Sequence, residues 1–234
     1  MIPWVKLAST EAMDGKQLEL RKRGDEYLIV ADGLQLMSSE DEGSSRELAL
    51  LGCEHLKKGA AARVLVGGLG MGYSQRAALD CVGRKVVVEV CELVPAVVEW
   101  NRNELGALAK FPLDDPRTEL HVEDVRQRID AAAARYDAIL LDVDNGPIAL
   151  AHKRNNALYS VRGIQAAWGA LKPGGVFGLW SFSDDKRFTT RLEKQGFEVR
   201  VRRVEGSRKG RGRYHVIWIA RRPEPSTNLR KSRR

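Results

Sequence analysis

Cysteine is scarce in this chain, and no stretch of it stays apolar for long. Its three cysteines, Cys53, Cys81 and Cys91, are scattered and odd in number, with no CxxC pair or clustered histidines nearby. This argues against both a disulfide framework and a zinc site. No apolar run is long enough to cross a bilayer, and the opening segment MIPWVKLAST lacks the apolar core of a signal peptide. We therefore expect a cytoplasmic protein that does not associate with membranes.

Acidic residues are nearly missing from the last 35 residues, which hold 13 Lys or Arg and two Asp or Glu. The first 199 residues carry a balance of −3, so the formal net charge of +8 arises in this stretch. Such a segment can contact nucleic acid or another polyanion. It lacks interleaved aromatic residues, however, and the end of it, with Pro223, Pro225 and the run STNLRKSRR, offers nothing to a core. We favour a disordered, solubilising tail over residues 223–234, with nucleic-acid binding as the alternative.

What the chain does contain is a glycine-rich loop between a buried strand and a helix. The segment ARVLVGGLGMG, residues 62–72, begins with the continuous apolar run that is typical of a strand in a parallel sheet. Glycines then let the backbone turn tightly and leave room for a ligand against the main chain. The loop contains Gly67, Gly68, Gly70 and Gly72. An ordinary strand-to-helix turn would show the same residues, so the loop alone only suggests a nucleotide-like ligand.

An acidic residue after the next strand strengthens that interpretation. Glu92 follows the apolar run KVVVEVC and lies twenty residues beyond Gly72. A carboxylate at this distance, at the carboxyl end of the second strand, is placed to accept hydrogen bonds from ribose hydroxyls. Glu89 competes for the role, but it lies inside the strand and is expected to point into the flank of the sheet. We therefore predict a nucleoside site formed by the glycine loop and Glu92.

Strand and helix patterns alternate along most of the chain. They predict an α/β fold with a doubly wound, mostly parallel, seven-stranded sheet. Residues 17–23 and 26–37 read as strands with a turn at Asp32-Gly33, which predicts a β-hairpin appendage of two or three strands. Ser44 or Ser45 would cap the following helix, which would stop at Gly59. The expected division is an appendage over 1–43, a catalytic domain over 44–222 and the tail over 223–234.

Further acidic residues are predicted at the carboxyl ends of the next strands, the edge where ligands bind in open α/β sheets. Asp124 could accept from an adenine amino group, and it could equally cap the helix VRQRI. Asp142 and Asp144 are separated by one residue and would point to opposite sides of a continuing strand, so only one of them would face the ligand. Paired acids can bind a metal, but no third ligand lies nearby in the sequence, and we expect no metal site.

Several of these segments resemble the spermidine synthase-like (aminopropyltransferase) family, on the Rossmann-like fold of S-adenosylmethionine-dependent methyltransferases. The resemblance runs from about Glu26 to Tyr159. The matching segments are DGLQLMSSEDEGSSRE, VLVGGLGMG, CELVPAVVEWN, DPRTELHVEDV, YDAILLDVDNGP and LYS. It implies that Gln35, Glu92 and Asp124 contact the nucleoside and that Asp142 forms part of the active-site wall.

The chain also departs from the family's pattern. Gly70 stands where the family has an aspartate that holds the amine of the aminopropyl donor, and Ser45 and Arg46 replace its tyrosine and histidine. The family's DSSDPxGP is shortened here to DVDNGP, so Asp144 is the nearest stand-in for its second aspartate. Without the acid at position 70, backbone N–H groups could accept the carboxylate of intact S-adenosylmethionine.

Three functions therefore stay open. The first is aminopropyl transfer from decarboxylated S-adenosylmethionine to an amine, in which Asp144 would orient or deprotonate the nucleophile. The second is methyl transfer from intact S-adenosylmethionine, and the third is a non-catalytic nucleoside binder whose tail holds a polyanion. The expected partners are a small-molecule donor and acceptor, with a homodimer formed through the N-terminal hairpin as a further possibility.

Overall fold

A computed structural model describes residues 2–12, 15–143, 157–206 and 214–225. Within this part of the chain there are two β-sheets. The first is antiparallel and contains β1 (Val5–Glu11), β2 (Gln17–Arg23), β3 (Glu26–Ala31) and β4 (Leu34–Ser38). The second contains β5 (Ala62–Gly67), β6 (Val86–Cys91), β7 (Thr118–His121), β8 (Tyr136–Leu141), β9 (Leu171–Ser181), β10 (Glu198–Glu205) and β11 (Tyr214–Arg221).

The second sheet has the strand order β10-β11-β9-β8-β5-β6-β7. The five strands from β9 to β7 in this order are parallel, whereas β11 pairs antiparallel with β9, and β10 pairs antiparallel with β11. This confirms the predicted mostly parallel, seven-stranded α/β fold. The chain builds outward from β5 to β7 and then returns to the other side of β5 for β8. The glycine loop after β5 therefore opens at the point where the strand order reverses, which is where such sheets bind ligands.

Six α-helices in the described part of the chain flank this sheet. They are α1 (Gly43–Cys53), α2 (Tyr73–Cys81), α3 (Pro95–Arg102), α4 (Val125–Asp130), α5 (Val161–Ala170) and α6 (Lys186–Gln195). Two short 3-10 helices, Gly106–Ala109 and Pro112–Asp114, follow α3. None of the helices in the described ranges combines the length and the hydrophobicity that a membrane crossing requires.

Hydrophobic cores lie on both faces of the seven-stranded sheet, because neighbouring residues of a strand point to opposite sides. Leu65 of β5 packs with residues of α4, α5 and α6, while Val64 and Val66 pack with residues of α1, α2 and α3. All three side chains are fully buried. The uninterrupted apolar run that indicated a parallel strand is therefore a consequence of having two cores to fill.

The N-terminal sheet has four strands, so the prediction of a two- or three-stranded hairpin was wrong. Asp32 and Gly33, with φ of 47° and 81°, form the expected turn, but that turn divides the 26–37 run into β3 and β4. The first strand, β1, is an exposed edge strand with a register irregularity between Lys6 and Ala8. Its apolar residues do not alternate regularly, which is why the sequence pattern missed it.

This sheet packs closely on the main domain. Leu20 and Ile29 join a buried cluster with Trp100 of α3 and with Met71 of the glycine loop. The N-terminal sheet therefore shares a core with the segment that was predicted to bind the ligand.

Two element boundaries also differ from the prediction. Ser44 and Ser45 lie inside the first turn of α1 and are buried, and Glu42 at the N-cap position makes no side-chain capping bond. The helix ends at Cys53 rather than continuing to Gly59. Residues 172–175 belong to β9, and backbone hydrogen bonds of 2.8 Å from Gly174 to Arg222 and from Arg222 to Gly175 join them to the end of β11.

Candidate active site

A cavity of about 540 Å³ opens at the carboxyl ends of β5, β6, β8 and β9 and is covered by the N-terminal sheet. Six of the predicted site residues line it: Gln35, Gly68, Gly70, Glu92, Asp124 and Asp142. Gly67 and Gly72 do not line it and instead shape the loop at its two ends. Asp144 lies outside the described residues. The structure thus brings most of the predicted residues to one place.

The glycine loop approaches its neighbours too closely for larger residues. Gly68 has a φ of +85°, and a Cβ placed there would lie 2.5 Å from the carbonyl oxygen of Asp142. Both features require glycine, since a side chain would meet immovable backbone and an unfavourable dihedral angle. The loop therefore rests directly on the end of β8, which puts Asp142 beside the loop in the cavity.

Glu92 holds the loop from the other side. Its carboxylate accepts hydrogen bonds from the N–H groups of Leu69, at 3.0 Å, and Val94, at 2.9 Å. The backbone amides of Gly70 and Leu93 add to the electrostatic stabilisation of this carboxylate. Burial raises the pKa of Glu92, and these four amides partly oppose the rise. Glu92 is consequently a carboxylate that organises the loop as well as a candidate ribose ligand.

This geometry corrects the argument drawn from Gly70. Backbone N–H groups near Gly70 were expected to be open to the carboxylate of intact S-adenosylmethionine, but the N–H of Leu69 already donates to Glu92 at 3.0 Å. The negative charge of Glu92 would also oppose a second carboxylate there. The absence of an acid at position 70 is therefore a weaker reason to prefer the intact donor than the sequence suggested.

The space beside Gly70 is occupied by a side chain that the sequence did not single out. Gly70 has a φ of +52°, and a Cβ at this position would lie 2.9 Å from the Sδ of Met37. Met37 and Gln35 both line the cavity from β4. The family resemblance implied Gln35, and residues two apart on a strand share a face, so strand alternation applied to Gln35 could also have identified Met37.

Asp124 caps α4, as one of its two interpretations predicted. Its carboxylate accepts from the N–H of Arg126 at 2.9 Å while it lines the cavity. The two interpretations are compatible, because one carboxylate can accept several hydrogen bonds. An adenine contact by Asp124 stays a prediction.

Asp142 is surrounded by serine hydroxyls. The Oγ of Ser74 donates to its Oδ2 at 2.5 Å, and the hydroxyl of Ser45 lies near enough to favour the charged carboxylate. Burial raises the pKa of Asp142, against the opposing effect of the two hydroxyls. Ser45, which stands where the resembling family has a tyrosine, thus acts on the cavity through Asp142. Sequence reasoning missed Ser74, because a serine within a helix gives no signal of a partner far along the chain.

Beyond Asp142 the wall of the cavity becomes aromatic. Trp180, Phe182 and His215 pack edge to face, with ring centroids 4.7 to 5.0 Å apart. The Nδ1 of His215 lies 2.8 Å from the Oγ of Ser44 at the start of α1. Trp180 lies at the end of β9 and Phe182 directly follows that strand, while His215 belongs to β11 and Ser44 to α1, and no local sequence pattern indicates that these distant segments meet.

One group of possible metal ligands lies in the described ranges, formed by Glu89, Glu119 and His121. These three residues are absent from the cavity lining. The carboxylate of Glu89 bonds to Arg63, Arg128 and Arg135, so guanidinium groups balance its charge.

Comparison with known proteins gives a consistent result. The sequence profile of the spermine/spermidine synthase domain matches residues 47–194. A polyamine aminopropyltransferase 2 from Pseudomonas aeruginosa is 32% identical over 169 residues, which cover 68% of this chain and 45% of that protein. A polyamine aminopropyltransferase from Mycobacterium tuberculosis is 29% identical over 164 residues, covering 69% of this chain and 30% of that protein. The chain therefore matches less than half the length of either relative.

Solved structures show the same fold. The crystal structure of spermidine synthase from Thermotoga maritima has a TM-score of 0.73 and 19% sequence identity, over 94% of this chain and 74% of that one. A spermidine synthase in complex with the transition state analogue AdoDATO has a TM-score of 0.72 and 19% identity, over 94% and 73% of the two chains. At 19% sequence identity, the similarity between this chain and these structures shows a common fold only.

Proposed function

The chain belongs to the spermine/spermidine synthase family, and on that premise we propose that it transfers an aminopropyl group from decarboxylated S-adenosylmethionine to an amine. One observation carries the proposal. A single cavity, at the point where the strand order reverses, joins the glycine loop and Glu92 to Asp142. A reaction between a charged nucleoside donor and an amine requires a site that binds the nucleoside at one end and presents an acidic side chain at the other.

The proposed position of the donor follows the order of the strands. Asp124 after β7 would face the adenine, Glu92 after β6 and Gln35 from β4 would face the ribose, and the aminopropyl chain would extend past Gly70 toward Asp142. In this arrangement the sulfonium lies near the switch point between β5 and β8. Acidic residues on this path favour the cationic donor through charge, and its decarboxylated tail adds no opposing negative charge.

The reaction itself is a displacement at carbon. The lone pair of the acceptor nitrogen attacks the aminopropyl carbon that is bonded to sulfur. The C–N bond forms as the C–S bond breaks, the electron pair stays on sulfur, and methylthioadenosine leaves. The nitrogen then loses a proton. Asp142, with its raised pKa, is suited to orient the amine and hold that proton. A role for Asp144 in orienting the nucleophile stays a prediction from the sequence.

Calorimetric titration with three ligands tests the donor: decarboxylated S-adenosylmethionine, intact S-adenosylmethionine and methylthioadenosine. We expect methylthioadenosine and the decarboxylated donor to bind, and the intact donor to bind about tenfold or more weakly, because its carboxylate approaches Glu92 and Asp142. Preference for the intact donor would support methyl transfer instead.

Mass spectrometry of the products tests the transfer. Incubation of the protein with the decarboxylated donor and a panel of amines should yield methylthioadenosine and an acceptor that is heavier by one aminopropyl group. The variant Asp142→Asn should slow the transfer by about 10²- to 10⁴-fold while methylthioadenosine still binds. Nucleoside binding without transfer to any amine would favour the non-catalytic alternative.

A further inference from the structure

The aromatic wall of the cavity lies at the opposite end from the proposed adenine position. Along the sheet, β7 is followed by β6, β5, β8 and β9, and strands are about 4.8 Å apart, so the ends of β7 and β9 are separated by roughly 19 Å. Trp180 lies near the end of β9, and Phe182 directly follows that strand. A donor that extends from Asp124 to Asp142 leaves this end of the cavity for a second molecule.

The position of His215 confirms that the wall is continuous. Because β11 is antiparallel to β9, its first residues lie at the same edge of the sheet, with Val216 opposite Ser181. His215 therefore reaches the Trp180 ring, at 4.7 Å between centroids, and the Phe182 ring, at 5.0 Å. The interplanar angles of 63° to 77° are those of edge-to-face packing, which can be extended by a further ring.

Negative charge at this end of the cavity is limited. Of the described acidic residues that line the cavity, Glu92, Glu123 and Asp124 lie near the ends of β6 and β7, on the nucleoside side. Asp142 lies between the two ends, and Asp41 comes just before α1, whose Ser44 touches His215. Among the described residues, an ammonium group next to Asp142 or Asp41 would be balanced. An ammonium group beyond these two carboxylates would lie against the rings of Trp180 and Phe182, and burying a charge without a partner is costly.

We infer that Trp180, Phe182 and His215 form the acceptor subsite, and that this subsite takes a primary monoamine with an apolar, ring-sized body rather than a linear diamine. The inference rests on the proposed function, because only a transferase has an acceptor. The binding that it predicts can be measured without turnover. The amine nitrogen lies toward Asp142, where the aminopropyl carbon is presented, and the apolar body packs on the aromatic wall.

Binding of two amines to the protein saturated with methylthioadenosine tests the inference. The probes are 2-phenylethylamine and 1,4-diaminobutane, and calorimetry gives both dissociation constants. We expect 2-phenylethylamine to bind about tenfold or more tightly than the diamine, because the ring adds both apolar burial and edge-to-face contacts. Equal or tighter binding of the diamine, or no binding of 2-phenylethylamine, would overturn the inference.

Two variants locate the subsite. Phe182→Leu removes a ring and Trp180→Phe makes one smaller, while both keep the wall apolar. Each variant should weaken the binding of 2-phenylethylamine by about 3- to 10-fold. The affinity for methylthioadenosine should change less than about twofold, since the nucleoside lies at the other end. Tyr214→Leu is the matched control: Tyr214 precedes His215 on β11 but is half exposed and does not line the cavity. If the two cavity variants behave like this control, the aromatic wall does not bind the amine.

The same measurements separate this inference from the proposed function. Tight binding of 2-phenylethylamine without transfer from any donor would support the proposed subsite and contradict the proposed transferase activity. Efficient transfer to 1,4-diaminobutane, with no preference for the ring-bearing amine, would retain the transferase and reject the subsite.

Discussion

Glu92 has two tasks in this structure, and they have different consequences when it is replaced. Its carboxylate accepts from amides on both sides, at Leu69 and Val94, and so fixes the shape of the glycine loop. It also lines the cavity where the ribose is expected. Loss of the carboxylate would leave buried N–H groups without an acceptor, which destabilises the loop in addition to removing a ligand contact.

We predict that Glu92→Ala weakens methylthioadenosine binding by about 1.5 to 3 kcal/mol, because a charge-assisted hydrogen bond to the ribose is lost. Thermal melting should show a lower Tm as well. Glu99→Ala on α3 is the matched control, since it removes the same charge at an exposed position. Unchanged affinity in Glu92→Ala with an intact fold would show that Glu92 does not contact the nucleoside.

Gly70 and Met37 give a second prediction at this scale. Gly70→Asp introduces the acid of the resembling family, and in a sheltered site it should shift preference toward the decarboxylated donor by about 1 to 3 kcal/mol. The new side chain meets the Sδ of Met37 and requires a φ of +52°, so we expect both donors to bind worse in the single variant.

The double variant Gly70→Asp/Met37→Ala should recover much of the binding, because it opens the space beside position 70. The control is Met37→Ala alone, and the quantity to compare is the ratio of the two donor affinities from calorimetry. A ratio that stays fixed in the double variant, while both donors bind measurably, would mean that position 70 does not face the donor's tail.

At the scale of the elements, one buried carboxylate ties several strands and helices together. Glu89 of β6 has a side chain with no exposed surface and receives hydrogen bonds from Arg63 of β5, Arg128 of α4 and Arg135 before β8. Burial alone would raise the pKa of Glu89, but the hydrogen bonds from Arg135, Arg63, Arg128 and Tyr136 outweigh it and lower the pKa to about 2. This confirms that Glu89 points into the flank of the sheet.

The lowered pKa predicts an acid-sensitive stability. Because the folded state binds the proton less readily than the unfolded state, the contribution of Glu89 is present above the ordinary glutamate pKa of 4.5 and is lost as the pH falls toward about 2. The shift corresponds to about 3 kcal/mol at neutral pH. Glu89→Gln should therefore lower the free energy of unfolding by at least this order and flatten its pH dependence in that window.

Urea unfolding at several pH values measures this effect. Glu119→Gln is the control, since Glu119 also pairs with Arg63 but its side chain is 44% exposed. The control should change the free energy of unfolding by less than about 1 kcal/mol. If the free energy of unfolding of Glu89→Gln falls at acid pH as steeply as that of the wild type, then Glu89 does not stabilise the contacts between these elements.

For the whole molecule, the basic tail gives the clearest prediction. Deletion of everything after Pro225 should leave the Tm nearly unchanged, because the removed residues have no apolar pattern to bury. Scanning calorimetry of the full chain and the deletion compares them directly. A loss of several degrees would indicate that the tail docks on the body. If the tail binds nucleic acid, affinity should fall steeply with salt and disappear with the deletion.

Local sequence patterns were sufficient to predict the fold class and most of the backbone segments that surround the cavity. Continuous apolar runs, glycine positions and the spacing to Glu92 are local signals, and each follows from backbone geometry within a few residues. They sufficed for the parallel strands, for the glycine loop and for Asp124 as a helix cap. The position at a strand end added Asp142 and the family resemblance added Gln35, and both line the cavity.

The contacts that each side chain makes are visible only in the folded structure. The amides that Glu92 binds, the thioether of Met37 beside Gly70, and the aromatic wall of Trp180, Phe182 and His215 all depend on contacts between segments far apart in the chain. Strand order and register create these contacts, and a pattern within one segment carries no information about them. The N-terminal sheet is the plainest case, because its edge strand β1 has no regular alternation and is held by pairing with β2.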